Sequence, residues 1–256
     1  TDRLVVVPAK QTIEMGDHPV RAVRQKSDSS LVVAARLVKE GEAQAFISAG
    51  NTGAMMAAAL LTLGRIPGIE RPAIPCPIPV PQGETILLDV GANVDCRPKH
   101  LVQFAVMGLA YMEKVRGIKN PSVGLLNIGS EVSKGNELTV KVYRLLEESG
   151  LNFVGNVEGR ELFEGQANVV VCDGFVGNIV LKVAEGLGMM VFETIKEEIS
   201  ANTLALIGGM LAKPALHRVR QRLDYTEYGG SPLLGGDGVA IVSHGSSNIA
   251  AIHNAL

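Results

Sequence analysis

The chain has 256 residues, enough to bury a sizeable α/β core as one large or two small domains. Its 46% hydrophobic and 20% charged content is that of an ordinary globular protein. A formal net charge of −2 supplies no field to recruit nucleic acid, and the absence of Trp with only 4% aromatics argues against base-stacking platforms. Cys76, Cys96 and Cys172 stand too far apart for a Cys-x-x-Cys zinc site, and an odd, low count fits a reducing compartment. No run of about 18 continuous apolar residues occurs, so no spanning helix is expected, and no signal peptide is visible.

The sequence opens at Thr1 and enters a strand-like LVVVP at 4–8, so residues are expected to be missing in front. SDSSLVVAARLVKEG (27–41) reads as a helix with Ser29 or Ser30 as N-cap, Leu31, Ala34, Ala35 and Val38 on one face, and Gly41 as its stop. A strand AQAFIS, a GNTG turn and the small-residue helix AMMAAALLTLG follow. Residues 67–81 hold six prolines (67, 72, 75, 77, 79 and 81), which forbids a helix or a central strand. This segment reads as an extended crossover or edge, and as the place for a subdomain boundary within one α/β catalytic domain.

Beyond it come strand TILLDV, a helix from Pro98 to Val115, strand SVGLLNI, helix ELTVKVYRLLEES, strands NFVGNV and NVVVC, and a long helix from Val176 to Ile199. Residues 201–223 are apolar first and basic later, without an acid, and Pro214 predicts a break into two helices. DYTEYGGSPLLGGDG reads as a glycine-rich loop, and strand VAIVS leads through HGSSN to a closing helix that ends abruptly, so a loss is expected there too. Strands alternating with helices imply a mostly parallel sheet covered on both faces.

Five strands end in glycine and small polar residues: AFISAGNTGA (45–54), TILLDVGANVD (85–95), VGLLNIGSEVSKGN (123–136), NVVVCDGFVGN (168–178) and VAIVSHGSSN (239–248). Open parallel sheets bind ligands beyond the carboxyl ends of their strands, so Asn51, Asn93, Asn127, Asn178 and His244 are expected to converge on one pocket. In SAGNTGA, Gly50, Asn51, Thr52 and Gly53 offer N–H groups and side chains to a phosphate. In DVGANVD, Asn93 is a donor for a carbonyl oxygen, and Asp89 suits a turn cap better than a metal. Lys134, in a loop after Asn127, can neutralise a phosphate as a point charge. In CDGFVGNIVLK, Gly174 and Gly177 shape a turn, Asp173 ends a buried strand, and Asn178 and Lys182 share a helix face where an anion gains from the dipole. Cys172 reads as a small buried residue rather than a nucleophile. His244, alone among the histidines, stands at a strand-end turn, where it can bind an oxyanion or move a proton. No cofactor or metal is expected.

Taken in order, SAGNTGA, LLDVGANVD, GLLNIGSEVSKGNE, FVGNVEGRELF, VVVCDGFVGNIVLKVAEG, YGGSPLLG and SHGSSN resemble the bacterial PlsX family of phosphate acyltransferases. The resemblance implies a fold akin to phosphotransacetylases and isocitrate dehydrogenases and a homodimer. It also implies acyl transfer from acyl carrier protein to inorganic phosphate. The acyl phosphate would serve a membrane glycerol-3-phosphate acyltransferase in phospholipid synthesis, by a cytoplasmic protein that associates with the membrane surface. Family members begin with a further strand and an Asp-Ala-Met-Gly-Gly-Asp segment that this sequence lacks, and a C-terminal helical stretch is shorter here.

For that chemistry the candidate catalytic residues are Asn51, Asn93, Asp173, Asn178, Lys182 and His244, with Gly50, Thr52, Gly53, Asn127, Lys134, Gly174 and Gly177 for phosphate or substrate. If phosphate itself attacks the thioester, the protein needs oxyanion donors rather than a nucleophile. In 201–223, Leu204, Leu206, Ile207, Met210 and Leu211 with Arg218, Arg220 and Arg222 suit an anionic membrane, the acidic carrier protein or a dimer partner. The alternatives are a short-chain phosphotransacetylase using coenzyme A and a non-catalytic module that recruits carrier protein. A dehydrogenase is disfavoured because no G-x-G-x-x-G follows a strand.

Overall fold

A computed structural model describes residues 4–223, 229–243, 245 and 247–255, with backbone alone at 220–223. The chain divides into two compact units, Thr1–Pro75 with Tyr228–Leu256, and Cys76–Glu227.

In the first unit, helices α1 (Pro19–Gln25), α2 (Ser30–Lys39) and α3 (Thr52–Thr62) surround a sheet of strands β1 (Ala45–Ser48), β8 (Val239–Val242) and β7 (Ser231–Pro232). β1 and β8 run parallel with Ser48 opposite Val242, while β7 is antiparallel to β8. Helix α8 (Ile249–Ala255) follows β8. α3 is an alanine helix whose buried Ala54, Ala57, Ala58 and Ala59 permit close packing on its neighbours. LVVVP is not a strand: Leu4, Val5 and Val6 are exposed, and among the described residues no strand pairs with them, so their amides have no ladder to join. β7 and α1 carry too few residues to leave a periodic signal.

The second unit is a five-stranded sheet in the order β2-β3-β6-β4-β5. Its strands are β2 (Pro75–Val80), β3 (Gly83–Leu88), β4 (Val123–Asn127), β5 (Phe153–Glu158) and β6 (Val169–Val171). β3, β6, β4 and β5 run parallel, so they end on the same side of the sheet. The three prolines of β2 are tolerated because it is an edge strand, whose outer amides join no ladder. Ile86, Leu87, Leu88 and Val169 to Val171 are buried, and such continuous apolar runs mark central strands covered on both faces. Helices α4 (Pro98–Lys114) and α5 (Glu137–Glu148) pack on the sheet and on each other, with Phe104, Ala105, Met112, Val142 and Leu146 facing inward.

Helix α6 (Gly174–Ser200) leaves the sheet after its first turns, and α7 (Thr203–Leu223) folds back along it. Pro214 does not split 201–223 in two: α7 runs through it as one helix. A proline removes a single i→i−4 bond, and the apposition of α6 and α7, close enough that Gly209 abuts Ile199, holds the remainder. The hairpin is therefore α6 against α7, with its turn at residues 201–202.

α6 also departs from the expectation of no spanning helix. It is long and apolar enough to cross a membrane by length and composition, and 6% of its apolar window is buried. Lys182 and Glu185 interrupt the run, which is why a search for continuous apolar residues misses it. Ile179, Val183, Leu187 and Met190 lie exposed along it at helical spacing.

Candidate functional site

The described ends of β3 and β6 meet at one buried carboxylate. Asp89 follows β3 and is fully buried. It accepts from the Asn93 amide at 2.7 Å, the Asn93 side-chain Nδ2 at 3.0 Å and the Ala92 amide at 3.2 Å. These bonds wind DVGAN into a closed turn, with Gly91 at φ +135, a conformation that L side chains rarely adopt. Asp89 thus shapes the turn, which is the capping role its position predicts.

α6 starts against that turn. Asp173 is its N-cap and accepts from the Val176 amide at 2.9 Å, while the Gly174 amide donates to Asn93 O at 2.7 Å. A Cβ at Gly174 would lie 2.7 Å from both Asn93 O and an Asp89 carboxylate oxygen, so only glycine fits. The Gly177 amide donates to Asp173 O. These bonds leave few free amides at this helix end, so an anion here draws on side chains more than on the N-terminus itself.

Two of those side chains project on one face. Asn178 is exposed and lies 3.6 Å from where a Cβ on Gly91 would stand. Among the described residues its amide has no partner. Lys182, one turn on, pairs with Glu185 at 2.8 Å. Glu185 is the residue that reading the sequence missed, although its i+3 spacing from Lys182 is an ion-pair signal.

β4 ends at Asn127, whose Nδ2 donates to Lys134 O at 3.0 Å and whose Oδ1 accepts from the Ile128 amide at 2.9 Å. Asn156 of β5 donates to Glu131 O at 2.9 Å and ties the same loop from the other side. Asn127 is therefore a loop brace, and Lys134, exposed and with no described partner for its ammonium, is the cation the loop presents.

In the first unit, the Ser243 amide donates to Ser48 O at 2.8 Å, so the turns after β1 and β8 lie side by side. Asn51 caps α3 through the Ala54 amide at 3.0 Å, and its Nδ2 faces three carbonyls, of Glu14, Met15 and Asp17, at 3.1–3.3 Å. The side chain is buried and fully engaged, so it acts on the turn rather than on a ligand. Asp17 is strapped in turn by Lys26 at 2.5 Å, which holds its carboxyl below the usual carboxylate range. The amides of Thr52 and Gly53, beside exposed Gly50, have no described partner and remain open to an anion. His244 lies outside the described residues.

The thiols of Cys172 and Cys76 are poor nucleophiles. Burial, reinforced by the charges of Asp173 and Asp89, pushes Cys172 well up, and burial first, then Glu185, pushes Cys76 up to about 12. Both stay protonated near neutrality.

Three of the four predicted asparagines are therefore spent internally: Asn51 on carbonyls, Asn93 on Asp89 and Asn127 on its own loop. Asn178, Lys134 and Lys182 remain as side chains that can reach a ligand. On α7, Leu204, Leu206, Ile207, Met210 and Leu211 are exposed, as is Arg218, and Arg220 and Arg222 belong to the same helix.

Solved structures share this fold. A phosphotransacetylase from Streptococcus pyogenes superposes with a TM-score of 0.60 at 18% identity, over 94% of this chain and 72% of that one. The EutD phosphotransacetylase from Staphylococcus aureus gives 0.59 at 15% identity, over 91% and 67%. Sequence similarity is far closer to phosphate acyltransferases. That of Desulfitobacterium hafniense strain Y51 is 58% identical over 255 residues, 99% of this chain and 76% of the relative. That of Pelotomaculum thermopropionicum is 57% identical over 251 residues, 98% and 73%. The profile of the "Fatty acid synthesis protein" family matches residues 1–256. With the profile matched throughout and relatives this similar, the chain belongs to that family, the PlsX phosphate acyltransferases.

Proposed function

We propose that the protein transfers a long-chain fatty acyl group from acyl carrier protein to inorganic phosphate, releasing acyl phosphate for phospholipid synthesis. Membership of a fatty acid synthesis family with phosphate acyltransferase relatives supports it. The observation that carries the mechanism is the pairing of a free amide with a cation on one face of α6, Asn178 one turn before Lys182. Phosphate is itself the nucleophile, so the protein has only to hold it and stabilise the tetrahedral oxyanion. Asn178 donates to that oxyanion, and Lys182 and Lys134 offset the phosphate charge.

The test is phosphate-dependent consumption of long-chain acyl carrier protein, with the matching coenzyme A thioester in parallel. Acyl phosphate formed from the carrier protein supports the reading. Turnover restricted to short coenzyme A thioesters would make it a phosphotransacetylase, and no turnover with either donor would leave a recruitment module.

We also propose that the protein is cytoplasmic and that the α6–α7 hairpin holds it to an anionic membrane. The exposed Leu206, Ile207, Met210 and Leu211 precede a run of basic residues without an acid, the pattern of an interfacial helix. Replacing Leu206 and Ile207 by Glu is expected to release the protein from phosphatidylglycerol liposomes with its unfolding temperature unchanged. Undiminished sedimentation with liposomes would reject the membrane role and leave the hairpin as a contact for a second copy or for the carrier protein.

A further inference from the structure

Glu185 is placed unlike a surface ion-pair partner. Its side chain is 14% exposed against 59% for Lys182, and only Oε2 meets the ammonium. Oε1 is shielded from solvent with no hydrogen-bond partner. A buried carboxylate oxygen left bare is costly, and an ion pair serving stability alone would turn it to water. Asn178, Lys182 and Glu185 follow at helical spacing along one face of α6, from the DVGAN turn towards edge strand β2, where the Cys76 thiol feels the charges of both Glu185 and Lys182.

The reaction proposed above, on which this inference rests, has a proton to move. A thioester and hydrogen phosphate dianion give acyl phosphate and a thiol. The phosphate oxygen forms the new bond to carbon, the carbon–sulfur bond breaks, and its electron pair leaves on sulfur. The proton of the phosphate hydroxyl must end on that sulfur.

We propose that Glu185 and Lys182 form the relay for this proton. Rotation of the Glu185 carboxylate brings Oε1 out to accept it from the phosphate hydroxyl, the ammonium of Lys182 protonates the departing sulfur, and the reverse rotation hands the proton on Oε1 to the amine left on Lys182, which rests 2.8 Å from Oε2. The bare oxygen is the acceptor that a phosphate hydroxyl, a donor, completes.

The test is steady-state kinetics of Glu185→Gln and Glu185→Asp with acyl carrier protein thioester and inorganic phosphate, across pH. Glu185→Gln keeps shape and loses the proton acceptor, so kcat is expected to fall about 100-fold or more while both KM values stay within about threefold. Its pH–rate profile should lose the acidic limb, and Glu185→Asp should keep that limb and recover at least about tenfold of the loss. A Gln variant with near wild-type kcat, or one whose loss lies in the phosphate KM, would overturn the relay and leave Glu185 holding Lys182 in place. Should the Gln variant not fold, an Asp variant with unchanged kcat and a profile lacking the acidic limb overturns it equally. Wild-type protein without phosphate-dependent transfer would overturn the reaction itself, an outcome separable from all of these.

Discussion

Gly177→Ala should cost the protein both its stability and its activity. Gly177 sits in the first turn of α6, where a Cβ would enter the Asp89 carbonyl oxygen and lie 3.0 Å from the Asp89 carbonyl carbon and the Cys172 sulfur. Two of those atoms are backbone at the end of a central strand and cannot turn aside. The helix must shift away from β3, and the shift carries Asn178 with it. Overpacking of this kind costs about 3 kcal/mol, at the upper end of its usual range. For a chain of this size that is a fall in unfolding temperature of roughly 6–12 °C. Displacement of a catalytic group by about 1 Å costs on the order of 100-fold in rate. Calorimetry and the phosphate-dependent assay measure the two. An unfolding temperature within about 2 °C of wild type would show that α6 does not seat as tightly as the Asp89 contact requires.

Asn178→Ala is expected to do the opposite, leaving stability alone and lowering kcat about 100- to 1,000-fold, the loss typical of one oxyanion donor. Its amide is exposed and has no described partner, so nothing in the fold misses it. Asn51→Ala is the control. That residue is buried, caps α3 and spans three carbonyls, so its removal should destabilise by about 1–3 kcal/mol. Its kcat, measured well below the unfolding transition, should stay close to wild type. If Asn178→Ala keeps full kcat and Asn51→Ala loses it, the roles assigned from their hydrogen bonds are reversed.

Strand ends were the most legible part of the sequence, because an apolar run that stops at glycine and a small polar residue records both burial and its sudden end. β3, β4, β6 and β8 follow those runs to within a residue or two. LVVVP at 4–8 shows the limit of the same signal, since a β-prone run becomes a strand only where a neighbour can pair with it. Pro214 shows another, since a proline ends a helix only when nothing else holds it. The site was legible in residue type and obscure in role. Asparagine at a strand end looks alike whether its amide meets a ligand or a carbonyl of its own turn, and only the three-dimensional partners separate Asn178 from Asn51 and Asn93. Glu185 was hidden for a related reason: an acid in a long helix reads as solvated until its burial is known.

The first unit is assembled from both ends of the chain, with β1 pairing β8 across nearly the whole intervening sequence, while the second unit is one continuous stretch. On a ribosome the second unit can therefore complete its sheet while the first still waits for β8. Closing that long loop carries an entropic cost that falls on the last step. Until then β1 lacks its ladder partner, and a nascent chain paused before residue 239 would be the species most exposed to chaperones and to aggregation.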